Sequence, residues 1–238
     1  IWLIPDGAAS SFICPTFGLI IAVVGTITLF IGAMQALMQE QTKRLLAFYS
    51  ISQIGYILLG LGACLLLLPH ERTGFCGAPE IPWATLGFYG ALFHTINHAI
   101  FKSLLFMNAG SMLYATGSQS LNIVSGLLKH MPLTAITAII ASFSIVGVPP
   151  FNGFASKWTI YVSTILGSGM AANTGILAIC AVLAIITSTL TLASFMKFFG
   201  VSFLSRTSAL VAQRASARKS GASASLEVSW SMRLPQII

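Results

Sequence analysis

His94, His98 and Lys102 stand four residues apart in the stretch HTINHAIFK. On a helix this spacing lines three titratable groups along one face over roughly 12 Å of rise. Unit charges about 6 Å apart at an effective dielectric near 20 oppose one another by roughly 2.8 kcal/mol, so a proton arriving on one group pushes a proton off the next. That is the chemistry of a proton relay. Metal binding is a poor alternative, because the pair lacks the glutamate of an H-E-x-x-H site. Haem is poorer still, since two axial imidazoles must approach iron from opposite faces and these share one helix. The structural alternative is that the histidines hydrogen-bond neighbouring helices and Lys102 pairs with an acid.

A second constellation is GVPPFNGFASKW, where Gly147, Pro149, Pro150 and Gly153 predict a helix break. Each proline lacks an N–H and clashes with the carbonyl four residues back, so the carbonyls of Ile145 and Val146 lose their helical partners. Backbone freed in this way inside a membrane must be buried in protein or line a cavity, and broken helices mark ion sites in transporters. Lys157 follows within two turns. It is a relay candidate, with a simple kink and an outward-snorkelling lysine as the alternative. Lys43 and Arg44, beside Glu40, read either as orientation anchors or, for Lys43, as a relay point at one mouth. Ser50, Ser52, Gln53 and Tyr56 read as small polar groups that join helices.

These residues are set in membrane composition: 56% of 238 residues are apolar and 7% are charged, against roughly 25% charged in soluble domains. Soluble enzymes and disordered chains are excluded. The cysteines form no C-x-x-C, and no cluster or nucleotide motif is present, so neither catalytic residues nor cofactors nor metals are expected. A crossing needs about 20 apolar residues, which predicts an all-α polytopic integral membrane protein of five spans at 16–38, 45–68, 85–114, 134–166 and 174–204, the fourth broken by proline. Those spans make residues 1–204 a transmembrane domain. Residues 205–238 are then a basic loop or tail leading to a missing helix, or a basic amphipathic segment on anionic lipid. Lys43, Arg44, Lys129, Arg206, Arg214, Arg218, Lys219 and Arg233 fall on one side and only Arg72 on the other, which makes the first side cytoplasmic. The net charge of +7 then follows from topology, with no nucleic-acid partner. A start at Ile1 without a leader pattern is the mark expected of a fragment.

Residues 39–56 (QEQTKRLLAFYSISQIGY), 94–110 (HTINHAIFKSLLFMNAG) and 147–158 (GVPPFNGFASKW) resemble three signature stretches of the antiporter-like proton-translocating membrane subunits. That family includes the large antiporter-like subunits of respiratory complex I, formate hydrogenlyase and energy-converting hydrogenase components, and Mrp-type cation/proton antiporter subunits. The likeness runs from about residue 16 to 203, with wording nearest the hydrogenase branch. It implies a chain of buried lysines, histidines and water across a prokaryotic plasma membrane, driven by redox chemistry in partner membrane subunits. The implied relay is His94, His98 and Lys102 on the central axis, Lys157 as the terminal relay outward and Lys43 at the cytoplasmic end. The alternatives are a Na⁺(K⁺)/H⁺ antiporter subunit without electron transfer and a structural membrane anchor. Gln41 replaces a common aspartate, and Phe48-Tyr49 a common Tyr-Ser. The family's earlier Glu–Lys pair has no counterpart here, so this stretch implies the later half only, unable to pump alone.

Overall fold

A computed structural model describes residues 8–69, 83–170, 172–219 and 226–237. Arg72 and Cys76 lie outside these residues, as does 220–225 of the tail. The described elements are α1 (Ala8–Leu37), α2 (Thr42–Leu67), α3 (Trp83–Thr116), α4 (Pro132–Val146), α5 (Asn152–Gly167), α6 (Ile176–Phe199), α7 (Ala209–Lys219) and α8 (Trp230–Ile237). No strand occurs among the described residues, only an isolated bridge between Gln41 and Ser120. The all-helical class is therefore as expected.

Among the described residues, three stretches are long and apolar enough to cross a membrane: Pro15–Leu37, Thr42–Leu67 and Ile176–Leu204, the last running on from α6 through a π-helical turn. α3 is longer, at 34 residues, but carries His94, Asn97, His98, Lys102 and Asn108. α4 and α5, with 15 and 16 residues, each rise only about 24 Å at most, so neither alone spans about 30 Å of hydrocarbon. Where the sequence placed one broken fourth span, two helices stand end to end. Pro132 opens α4 at a position where its missing N–H costs nothing. Gly147, in the left-handed region at φ 85°, closes it. The first helix extends upstream of Pro15, with the proline inside it.

Polar and charged side chains are buried among the apolar core while large apolar ones face outward. Phe17, Ile20, Val24, Ile27, Ile31 and Met34 form an exposed stripe along α1, while Gln53, His94, Asn97, Lys102, Ser156 and Lys157 are buried. Hydrocarbon is the solvent that tolerates this inversion.

α1 packs along α2, α2 on α3, and α3 on both α4 and α5, with α6 closing against α1, α4 and α5. The α1–α2 seam is built on glycines one heptad apart, Gly18 facing Gly62 and Gly25 facing Gly55, with Gly32 continuing the row against Ser52. A Cβ at Gly62 would lie 2.4 Å from the Ala22 nitrogen, a backbone atom with no rotamer to yield. Close approach of small residues is what holds helices together in lipid, where burial of oil against oil gains little. Gly62→Ala is expected to cost about 1–3 kcal/mol by overpacking, read as a lower unfolding midpoint in detergent.

The tail differs from the expected loop. α7 and α8 are helical, and Leu226 and Val228 join the buried cluster. Glu227 accepts from the N–H groups of Leu133 (2.8 Å) and Thr134 (3.2 Å), capping α4. Gln236 donates to Ser111 on α3 at 2.6 Å. The apolar pair and the cap together draw the segment onto the ends of α3 and α4.

Candidate functional site

The break between α4 and α5 sets the site. Lys157, 2% exposed, sits in the second turn of α5 and turns its ammonium back to the end of α4. Its Nζ donates to the carbonyls of Ile145 (2.9 Å) and Val146 (3.2 Å). These are the two carbonyls that the prolines strip of helical partners. A cation there also meets the negative end of the α4 dipole. The lysine stem runs past Gly147, where a Cβ would come within 3.1 Å of its Cδ. The ammonium lies 4.6 Å from the centre of the Tyr56 ring, in cation–π contact.

His94 is fully buried between three helices. Its Nδ1 stands 2.9 Å from Ser156 Oγ on α5 and its Nε2 3.1 Å from Gln53 Oε1 on α2. Three residues on, Asn97 donates to the Asn152 carbonyl at 3.0 Å, and the Asn152 amide returns a bond to Asn97 Oδ1 at 3.1 Å. Lys102 is 7% exposed and donates to the Leu46 carbonyl on α2, with the Phe106 ring centre 5.3 Å away. His94 and Lys102 thus meet α2 at Gln53 and Leu46, one heptad apart and in reverse order, as antiparallel helices require.

The three-residue stripe is a slow spiral rather than a straight line. A step of four residues overshoots one turn by about 40°, so His94 bonds to both α5 and α2 while Lys102 bonds to α2. His98 lies between them, half-buried, its Nε2 without a hydrogen-bond partner and its ring 5.6 Å from Phe101. Lys43 is exposed in the first turn of α2, apart from this cluster. At the same end, Glu40 Oε2 accepts from Asn122 at 2.9 Å.

Among the described residues the one ion pair is Arg233 with Glu227, at 3.7 Å. Among those residues neither buried lysine has a carboxylate partner, and no cluster of three or more His, Cys, Asp or Glu could hold a metal. Both ammonium groups rest on main-chain carbonyls and aromatic faces. An amine so held can donate hydrogen bonds in either charge state, which is what a carrier of protons needs.

Beside Lys157, three hydroxyls join α2, α5 and α6. Ser188 Oγ is 3.0 Å from the Tyr56 hydroxyl and 2.6 Å from that of Tyr161, and Tyr56 donates to the Ala184 carbonyl at 2.7 Å. Sequence reasoning assigns Tyr56 and Gln53 to helix glue and passes over Asn97, Asn152, Ser156, Tyr161 and Ser188. The available signal was position: Asn97 shares the His94 face, and Ser156 precedes Lys157.

The transmembrane family described as NADH:quinone oxidoreductase/Mrp antiporter matches residues 8–66 and 81–188. The chain belongs to this family. Both matched stretches together contain every residue of the site, from Lys43 to Ser188. Formate hydrogenlyase subunit 3 of Escherichia coli is 36% identical over 190 residues, 79% of this chain and 30% of that protein. A Na(+)/H(+) antiporter subunit of Bacillus subtilis is 37% identical over 144 residues, 60% of this chain and 17% of that protein. Among solved structures, a chain of the archaeal membrane-bound sulfane sulfur reductase, a respiratory membrane complex, superposes with a TM-score of 0.71 at 30% identity, covering 93% of this chain and 30% of that one. This member of the NADH:quinone oxidoreductase/Mrp antiporter family thus spans less than a third of the length of these relatives.

Proposed function

We propose that this chain is part of a proton-translocating membrane subunit of a redox-driven complex of the complex I or membrane-bound hydrogenase type. Protons pass by way of Lys43, His94, His98, Lys102 and Lys157 with intervening water, while electron transfer belongs to partner subunits in the same membrane. The observation that carries this reading is a pair of buried lysines with no carboxylate partner among the described residues, flanking a histidine bonded on both nitrogens. Burying an ammonium costs at least about 2.5–3.5 kcal/mol on insertion scales and marks an ion path far more often than a strut. The five-span topology, the cytoplasmic tail and the prokaryotic plasma membrane belong to the same proposal, supported by the eight-to-one division of loop cations.

A second reading, a Na⁺(K⁺)/H⁺ antiporter subunit without electron transfer, is favoured by the similarity to the Bacillus subtilis antiporter protein. The two are separated by reconstituting the full-length protein with its complex in vesicles. Proton uptake that follows electron donor and ignores a Na⁺ gradient supports the first; uptake driven by the Na⁺ gradient alone supports the second. In either case Lys102→Met is expected to slow proton transfer at least about tenfold, read from a pH-sensitive dye in the vesicle lumen. Assembly should persist, because methionine fills the lysine stem and the Leu46 carbonyl also accepts from Ser50 at 3.2 Å. Transfer at the wild-type rate would remove Lys102 from the path.

A further inference from the structure

The first turn of α5 is gripped by α3 through two contacts of different chemistry. One is the reciprocal pair of amide bonds between Asn97 and Asn152, reinforced by the Gly153 N–H donating to Asn152 Oδ1 at 2.9 Å. Amides do not titrate, so this contact keeps its form whatever protons pass. The other is the contact of His94 with Ser156, and it depends on the charge of the ring.

With the Gln53 amide turned so that Oε1, an acceptor, meets the ring, His94 Nε2 carries a hydrogen. In the neutral ring Nδ1 is then bare, and Ser156 must donate to it. In the charged ring Nδ1 carries a hydrogen and donates to Ser156 Oγ, which frees the hydroxyl hydrogen. A second acceptor is in place: the Gly153 carbonyl, 3.1 Å from Ser156 Oγ. That carbonyl is also the i−4 acceptor for the backbone N–H of Lys157. One hydroxyl hydrogen therefore chooses between His94 and the turn that carries Lys157, and the choice follows the proton on His94. A serine bonding back to its own helix competes with the ladder and bends it.

We propose that Ser156 is the positioning residue through which the proton on His94 acts on the Lys157 turn, with the Asn97–Asn152 pair as the fixed pin. The inference rests on the relay reading. The balance is simple: no covalent bond other than O–H and N–H is made or broken. Protonation of Nδ1 turns the Ser156 hydroxyl from His94 to Gly153, and deprotonation turns it back. The titratable groups around His94 are Lys157 on α5, His98 on α3 and Tyr56 on α2, whose ring centre is 5.8 Å from that of His94. No carboxylate among the described residues is paired with any of them.

The test is a double-variant cycle in the full-length protein within its membrane complex, reading proton transfer in vesicles as a function of pH. Ser156→Ala is expected to slow transfer about tenfold and to change the pH profile to that of His94→Gln. Combining the two changes should add nothing further, because both cut one link. If Ser156→Ala and His94→Gln slow transfer independently, so that the double variant shows the product of the two losses, Ser156 acts by packing alone and the inference is overturned. The same holds if Ser156→Ala transfers protons at the wild-type rate while Lys157→Met does not. If neither variant nor Lys157→Met slows transfer, the relay reading itself fails and takes this one with it.

Discussion

Replacing Lys157 by methionine is expected to lower proton transfer by roughly two orders of magnitude and to weaken the fold as well. The two effects have separate causes. Methionine fills the path of the lysine stem past Gly147 but brings no donor, so the carbonyls of Ile145 and Val146 lose the bonds that Lys157 makes at 2.9 and 3.2 Å. Each buried acceptor left bare costs about 1–3 kcal/mol, and hydrocarbon offers no replacement. Lys157→Arg separates the contributions. Arginine supplies donors for both carbonyls and a cation for the Tyr56 face, yet it does not give up its proton inside a protein. Its unfolding midpoint in detergent should lie above that of the methionine variant, while its proton transfer should fall as far. Arginine transferring protons at the wild-type rate would make Lys157 a fixed charge rather than a carrier.

That pair of carbonyls shows where sequence stops informing. The prolines announce that Ile145 and Val146 will want partners, and the buried lysine announces that it will want acceptors. That one answers the other depends on the break at Gly147, which sets Lys157 within reach of the end of α4. A break read from local sterics carries no direction, so this pairing was invisible. The histidine helix was legible because its spacing is local. Its partners were not, since Gln53 and Ser156 lie 41 and 62 residues away from His94 and short polar residues read alike whether they join helices or serve a site. Lys43 read as an anchor or a relay point at one mouth, and it stands exposed in the first turn of α2. The tail looked like a loop for the same reason: its order comes from Glu227 capping α4, a contact made across 94 residues.

The largest structural effect is expected from the smallest change in the break, Gly153→Ala. A Cβ at Gly153 would lie 1.7 Å from the Ser144 carbonyl oxygen and 2.9 Å from its carbon. Both are main-chain atoms inside α4, so no side-chain rotation relieves the clash, and the start of α5 must move bodily away from the end of α4. Lys157 lies one turn further along the same helix and would be carried off its two carbonyls; the Asn152 and Ser156 contacts with α3 lie in the turn that moves. The expected loss is about 3 kcal/mol or more, seen as a fall in folded protein recovered from membranes and in its unfolding midpoint. Gly110→Ala is the control, because it is the same substitution in the interior of α3 with nothing within 4 Å of the new methyl. There alanine only removes the conformational freedom of glycine, worth about 0.5–1 kcal/mol in favour of the helix. The two substitutions should therefore move stability in opposite directions, and a Gly153→Ala protein as stable as the Gly110→Ala protein would mean that α4 and α5 do not meet at the break as described.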